Sequence, residues 1–263
     1  MYNEILSIGP VTIYGYGLMI GIGVMVALLM SDYRAKKVGL NGDLVYGLTI
    51  TTVVLGFLCA RVLFILTEWK AFLADPKSFI TGSGFVVYGG IIGGLLVIYG
   101  YCKWKKVDYL SYLDLMVPSV AIAQGFGRIG CFLAGCCYGK QTDCFLGVTF
   151  VNSAYAPNGV KLLPSQLFMA AGDFVIGAIL IWFAAKKPLR GRISALYLIL
   201  YSIGRFFVEF TRNDDRGAVG GLSTSQFIGI FVLAAGLLMY YVLVPKCFNK
   251  EEITEEKSDG DES

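Results

Sequence analysis

Seven stretches of this chain, residues 14–30, 45–66, 85–102, 111–127, 165–185, 193–210 and 222–244, are each apolar for roughly the length that crosses a bilayer. A hydrocarbon core roughly 30 Å thick needs about 20 such residues as a helix. Inside that core backbone N–H and C=O groups must be bonded within the protein, which favours helices. Together the stretches leave no room in 263 residues for a separate soluble domain. The sequence therefore reads as an all-α integral membrane protein with about seven transmembrane helices, a single transmembrane domain over 1–250. Composition agrees: 16% of residues are charged, against about 25% in soluble domains.

The first stretch is expected to stay in the protein. Glu4 and no Lys or Arg precedes it, and no small-residue cleavage site follows. Orientation follows from the basic loops. Arg34, Lys36 and Lys37 follow the first stretch, Lys103, Lys105 and Lys106 the third, and Lys186, Lys187, Arg190 and Arg192 the fifth. Lys246, Lys250 and Lys257 follow the seventh. The alternate loops are poorer: Lys70 and Lys77, then Lys140 and Lys161, then Arg212 and Arg216 beside Asp214 and Asp215. This pattern places the amino terminus outside and the carboxyl terminus in the cytoplasm. Residues 251–263, EEITEEKSDGDES, read as an acidic, disordered cytoplasmic tail. The long polar connection 128–164 is expected to form a small extracellular segment between the fourth and fifth helices.

Composition also removes whole classes of chemistry. The chain has no histidine, which excludes a Ser-His-Asp or Cys-His nucleophile, a His-ligated zinc and a His-held haem. A net charge of +3 is too small to point to nucleic acid.

An ionisable side chain inside a spanning helix is costly and marks a candidate functional site. Arg61 lies in the second stretch, Arg128 ends the fourth, and Arg205 and Glu209 lie in the sixth. The topology puts all of them in the outer half of the membrane, at the depth of Tyr16 and Tyr88. Tyr201, Arg205, Glu209 and Arg212 are spaced as one helical stripe. Arg61, Arg128, Arg205 and Arg212 outnumber Glu209, and a low-dielectric site needs its charge balanced. Guanidinium groups suit phosphate bidentately, and the anion present at that depth is a phospholipid head group. Each arginine also has a plainer reading: Arg61 can snorkel to the interface, Arg212 can be a loop charge, and Arg205–Glu209 can be a structural pair. Arg128 is the hardest to explain as structure alone. Asp114 and Asp173, nearer the cytoplasmic side, read as helix-end or packing residues, or as part of a transport path.

Gly125, Gly127 and Gly130 spell G-x-G-x-x-G, but they close an apolar helix and follow no strand, so a dinucleotide site is excluded. The longer run GFGRIGCFLAGCCYG is expected to leave the helix at membrane depth and to offer free N–H groups beside Arg128. Gly89–Gly93 and Gly90–Gly94 are pairs four apart, suited to close helix packing. Four of seven cysteines, Cys131, Cys136, Cys137 and Cys144, fall in the outer connection. Disulfides, apolar filler, and a metal or reactive thiol all remain open, because C-x4-CC-x6-C is not a standard zinc spacing.

These residues resemble the prolipoprotein diacylglyceryl transferase family. The resemblance rests on GRIGCFLAGCCYG (127–139), YGLM (16–19), YGGIIGG (88–94), PSQL (164–167), YSIGRFFVEFTRNDD (201–215) and LSTSQ (222–226), in family order. It implies transfer of the diacylglyceryl group of phosphatidylglycerol to the lipobox cysteine thiol of a prolipoprotein, at the outer leaflet of the cell membrane. It implies no cofactor and no metal. Arg128 and Arg205 match the family's essential arginines, and Gly139 its closing glycine. Tyr16, Tyr201, Glu209 and Arg212 match other functional or supporting positions. The expected catalytic set is Arg128, Arg205, Tyr88 and Glu209. The expected phosphatidylglycerol-binding set is Arg128, Arg205, Arg212, Tyr16, Tyr201, Arg61 and Gly139. The chain departs where the family carries histidine (Tyr88 here), two asparagines (Cys131, Ala134), a glutamate (Cys136) and Tyr-Glu (Phe168-Met169). With no histidine, the thiol proton must pass to Tyr88, Glu209 or water. A same-fold enzyme with another acceptor, or a lipid or anion transporter, are the competing expectations.

Overall fold

Apolar stretches this long can satisfy their backbone only as helices, and the chain is mostly helical. The structure, a computed structural model, describes residues 4–8, 11–81, 84–213, 218–219 and 222–245. The expected tail 251–263 lies outside the described residues, as do Asp214, Asp215, Arg216, Cys247 and the lysines from 246 on. A hairpin of β1 (Glu4–Ile8) and β2 (Val11–Tyr14) leads into α1 (Gly15–Val38). Then come α2 (Gly42–Thr67), the short α3 (Trp69–Ala74) and α4 (Pro76–Thr81), α5 (Val87–Lys105) and α6 (Tyr109–Ala134). The antiparallel pair β3 (Val148–Thr149) and β4 (Lys161–Leu162) precedes α7 (Ser165–Ala184) and α8 (Arg192–Glu209). A second small pair, β5 (Ala218–Val219) and β6 (Leu222–Ser223), precedes α9 (Thr224–Leu238), which runs on into a π-helical turn at Met239–Leu243.

All seven expected stretches are helical. Five of them, α1, α2, α6, α7 and the α9 run, are long and apolar enough to cross a membrane by length and composition. The protein is thus a multi-pass helical membrane protein. The other two, α5 and α8, are less apolar for reasons visible in their residues. α5 is rich in glycine and tyrosine, and the 18 residues of α8 include Arg192, Arg205 and Glu209.

The chain packs as two units: residues up to Met30 with those from Asp114 on, and Ser31–Leu113. In the second unit the glycine pairs do what their spacing suggests. A Cβ on Gly89 would lie 2.6 Å from the Cys59 carbonyl oxygen, and one on Gly93 2.4 Å from the Cys59 side chain. Glycine here lets α5 lie against α2 at backbone distance. Arg61 on α2 is occupied within the same unit. Its guanidinium donates to the Gly84 carbonyl at 2.5 Å and to the Phe79 carbonyl, and it sits over the Phe64 and Phe85 rings. It holds the loop that enters α5, which is a different use from the head-group contact expected of it. Tyr88 stands half-exposed at the start of α5.

In the first unit α6 packs on α1 and α7, and α8 packs on α7 and α9. The glycine run does not break α6 where the sequence suggests. The helix continues through Gly125, Gly127 and Gly130 to Ala134, and the chain turns only at Gly135, with φ +77°. Two of those glycines serve packing instead. A Cβ on Gly125 would lie 2.6 Å from the Phe174 ring, and one on Gly130 3.1 Å from the Tyr16 ring. The connection after α6 folds on a small core of Phe150, Ala156 and Leu162, with Phe132, Tyr138 and Val160 against it.

Asp114, buried on α6, is a helix-end residue. Its carboxylate accepts from Gly191 N at 2.6 Å, Ser194 N at 2.8 Å and Ser194 Oγ at 2.5 Å, capping the start of α8. Asp114→Ala leaves these buried donors unpaired and should lower stability by about 2–3 kcal/mol. Thermal unfolding in detergent measures this, and an unchanged midpoint would contradict the capping role.

Candidate active site

The first unit brings together most of the residues marked out by charge. Arg205 and Glu209 lie one turn apart on α8 and form an ion pair at 2.5 Å, with side chains only 10% and 9% exposed. A second nitrogen of Arg205 donates to Ser225 Oγ at 2.9 Å on α9. The guanidinium is therefore held from its own helix and from the next. The start of α9 is itself fixed by a capping box between Ser223 and Gln226. S-x-x-Q could have located that helix start, but nothing in the sequence signals the Arg205–Ser225 contact.

The expected stripe on α8 ends one residue set early. The helix stops at Glu209, so Arg212 is not on its face. Arg212 is placed instead by an antiparallel bridge to Gly139. Around that bridge, Gly139 N donates to Leu163 O, Lys140 N to Thr211 O, and Leu163 N to Lys140 O, each at 2.9 Å. Ser165 Oγ closes the junction on Thr211 at 2.9 Å. There is no room at Gly139 for a side chain: a Cβ would lie 2.3 Å from Ser165 Oγ and 2.7 Å from both the Leu163 and Thr211 carbonyl oxygens. The glycine that closes the signature is required because three chain segments cross at it. Arg212 is only 5% exposed, points one nitrogen at Met169 Sδ (3.6 Å), and hydrogen-bonds Cys137. Hydrogen bonds from Cys131 and Cys136, and then the Arg212 guanidinium, hold the Cys137 thiol below the usual thiol range.

Arg128 lies inside α6, two residues before Gly130, whose Cα side faces the Tyr16 ring. Its electrostatic neighbours are Cys131, Tyr201, Asp173 and Cys137. Among the described residues no carboxylate is within ion-pair distance of it. Tyr201 stacks on Tyr197, with ring centroids 5.7 Å apart, and Tyr197 donates to Gln124 on α6 at 2.6 Å. That pair ties the Tyr201 face of α8 to the Arg128 helix.

Between α7 and α8 runs a shallow open groove lined by Phe168, Met169, Gly172, Asp173, Ile176, Tyr201, Gly204, Arg205 and Val208. Gly172 and Gly204 both face open space. Its walls are apolar, with Arg205 and Asp173 as the charged members. It has the chemistry of a site for an amphiphile: a carbon-lined wall that also carries the Arg205 guanidinium. Tyr88 and Arg61 belong to the other unit, and Gly139 supports the site through Arg212 rather than by facing the groove.

Comparison with known proteins agrees with this architecture. The sequence model described as prolipoprotein diacylglyceryl transferase matches residues 3–242. A Clostridium perfringens protein named phosphatidylglycerol–prolipoprotein diacylglyceryl transferase 2 is 49% identical over 88% of this chain and 91% of its own length. A Clostridium tetani protein named phosphatidylglycerol–prolipoprotein diacylglyceryl transferase is 46% identical over 88% of this chain and 93% of its own. A Clostridioides difficile protein of that same name is 31% identical over 94% and 96%. With a match across nearly its whole length, and buried arginines set between apolar helices, this chain belongs to the prolipoprotein diacylglyceryl transferase family.

Proposed function

We propose that the chain transfers the diacylglyceryl group of phosphatidylglycerol to the lipobox cysteine thiol of prolipoproteins. The site faces the outer leaflet of the cell membrane. The observation that carries this reading is the set Arg128, Arg205 and Tyr201 beside an apolar groove between α7 and α8, in a chain of this family. In the reaction the acceptor sulfur attacks the glycerol carbon that bears the phosphate. A C–S bond forms, the C–O bond breaks, and glycerol phosphate leaves with the electron pair. The thiol proton passes to water. Negative charge grows on the departing oxygen, and preorganised cations at that point lower the barrier.

The roles follow from the contacts. Arg128, with no carboxylate in ion-pair distance among the described residues, takes the phosphate. Arg205 is paired with Glu209 and bonded to Ser225, so it presents a guanidinium of fixed orientation to the head group. Glu209 orients Arg205 through their ion pair. Arg212 and Tyr16 border the same region, and the groove takes acyl chain. Arg61 is committed to the Phe79 and Gly84 carbonyls at the entry to α5, so it is assigned no direct part in this step.

Membranes bearing the full chain should move labelled lipid from phosphatidylglycerol onto a lipobox peptide, releasing equal amounts of glycerol phosphate. A peptide with its cysteine replaced by serine should accept none. The outcome that would overturn this is lipid flux into liposomes with no new covalent product. Rescue of a strain lacking the transferase would separate this acceptor from any other.

A further inference from the structure

We infer that Cys131, Cys136 and Cys137 form a binding site for a thiophilic divalent d10 metal ion of the zinc and cadmium kind, held by three thiolates with one position open. The proposal stands on the geometry of the first unit and does not depend on the transferase reading.

The sequence spacing hides this site, and the turn after α6 creates it. Cys131 is buried on the last turn of the helix. Gly135 takes a left-handed φ of +77°, and its N–H bonds the Phe132 carbonyl at 3.1 Å. Cys136 N then bonds the Cys131 carbonyl at 3.1 Å, and Cys137 is itself left-handed at φ +61°. The chain thus doubles back on the helix end and returns two more sulfurs to Cys131. All three Sγ atoms lie within 4.8 Å of one another. The loop is pinned from outside by Gln166 Nε2, which donates to the Cys136 carbonyl at 2.7 Å.

The separation is right for a shared ion. Metal–sulfur bonds of about 2.3 Å set sulfurs about 3.8 Å apart in a tetrahedron and about 4.0 Å apart in a trigonal plane. The three sulfurs need only close slightly around the ion. Thiolate is the soft ligand that selects such metals over magnesium or calcium. The surrounding charge also favours the site. A divalent ion with three thiolates carries a net −1, and two cations adjoin it, the buried Arg212 beside Cys137 and Arg128 near Cys131. Binding releases the thiol protons to solvent and changes no oxidation state. With three protein ligands the fourth position is left for water or an incoming thiol.

Cadmium titration of the full chain, purified in detergent under argon, tests this directly. We expect a single Cd2+ per chain with sulfur-to-cadmium charge-transfer absorption. That signal should be lost in the Cys136→Ser/Cys137→Ser double variant and kept in Cys144→Ser. X-ray absorption of the zinc-loaded wild type needs no variant to fold and should show three sulfurs at about 2.3 Å. Equal cadmium uptake by the double variant, a zinc shell of oxygen or nitrogen alone, or a disulfide among these cysteines in rapidly alkylated native protein would each overturn the site.

Discussion

Arg128→Ala should reduce kcat/KM for lipid transfer by about 10²–10³-fold while leaving the protein folded, the usual loss when one preorganised donor to developing charge is removed. The two halves of this expectation come from the same fact. Arg128 sits within a spanning helix, and no carboxylate balances it at ion-pair distance among the described residues. An arginine at the centre of a membrane helix costs about 2.5–3.5 kcal/mol on insertion scales. Deleting it cannot weaken the helix on that account, so a structural role and a functional one predict opposite changes. Arg128→Lys should stay well below wild type, because it keeps the charge but not the fork that grips two phosphate oxygens. The measurement is steady-state transfer alongside thermal unfolding in detergent. A variant that melts early in step with its lost activity would make Arg128 a packing residue and remove the centre of the proposed site.

The second large effect is at Gly139. Gly139→Ala puts a methyl 2.7 Å from two carbonyl oxygens and 2.3 Å from Ser165 Oγ. A hydroxyl can rotate away, but the carbonyls of Leu163 and Thr211 are fixed by their own backbone bonds. We expect a loss of about 3 kcal/mol, typical of severe overpacking. Activity should fall further, because the bridge to Arg212 opens. Adding Ser165→Ala should recover only a small part, since it relieves one contact of three. Full recovery in the double variant would show that the hydroxyl alone set the requirement for glycine.

Much of this was legible in the sequence, and the reason is length. Bilayer thickness fixes how many apolar residues a span needs, so all seven helices could be located, including α5 and α8 with their glycines and charges. The Arg205–Glu209 pair was legible because four residues make one helical turn. What periodicity cannot give is contact between distant segments. Arg212 follows α8 by three residues, yet its position is set by Gly139, far back in the chain. The glycine run misled in the other direction. Glycine weakens a helix by about 1 kcal/mol in isolation, but Gly125 and Gly130 are tolerated because Phe174 and Tyr16 pack where their side chains would be. The Asp114 cap on α8 and the meeting of the three thiols were equally invisible, since the first depends on how separate helices pack and the second on a left-handed turn that doubles the chain back on the end of α6.

One feature of α8 sets how this protein can respond to an occupant. Asp114 grips its first turn, and the Lys140–Thr211 and Gly139–Arg212 links grip the residues just past its last. A rod anchored at both ends cannot roll about its axis, so the azimuth of Arg205 is set before any ligand arrives. Entry and exit must then be accommodated by side-chain rotation and by the ligand's own bending, and the empty and filled forms should share one backbone.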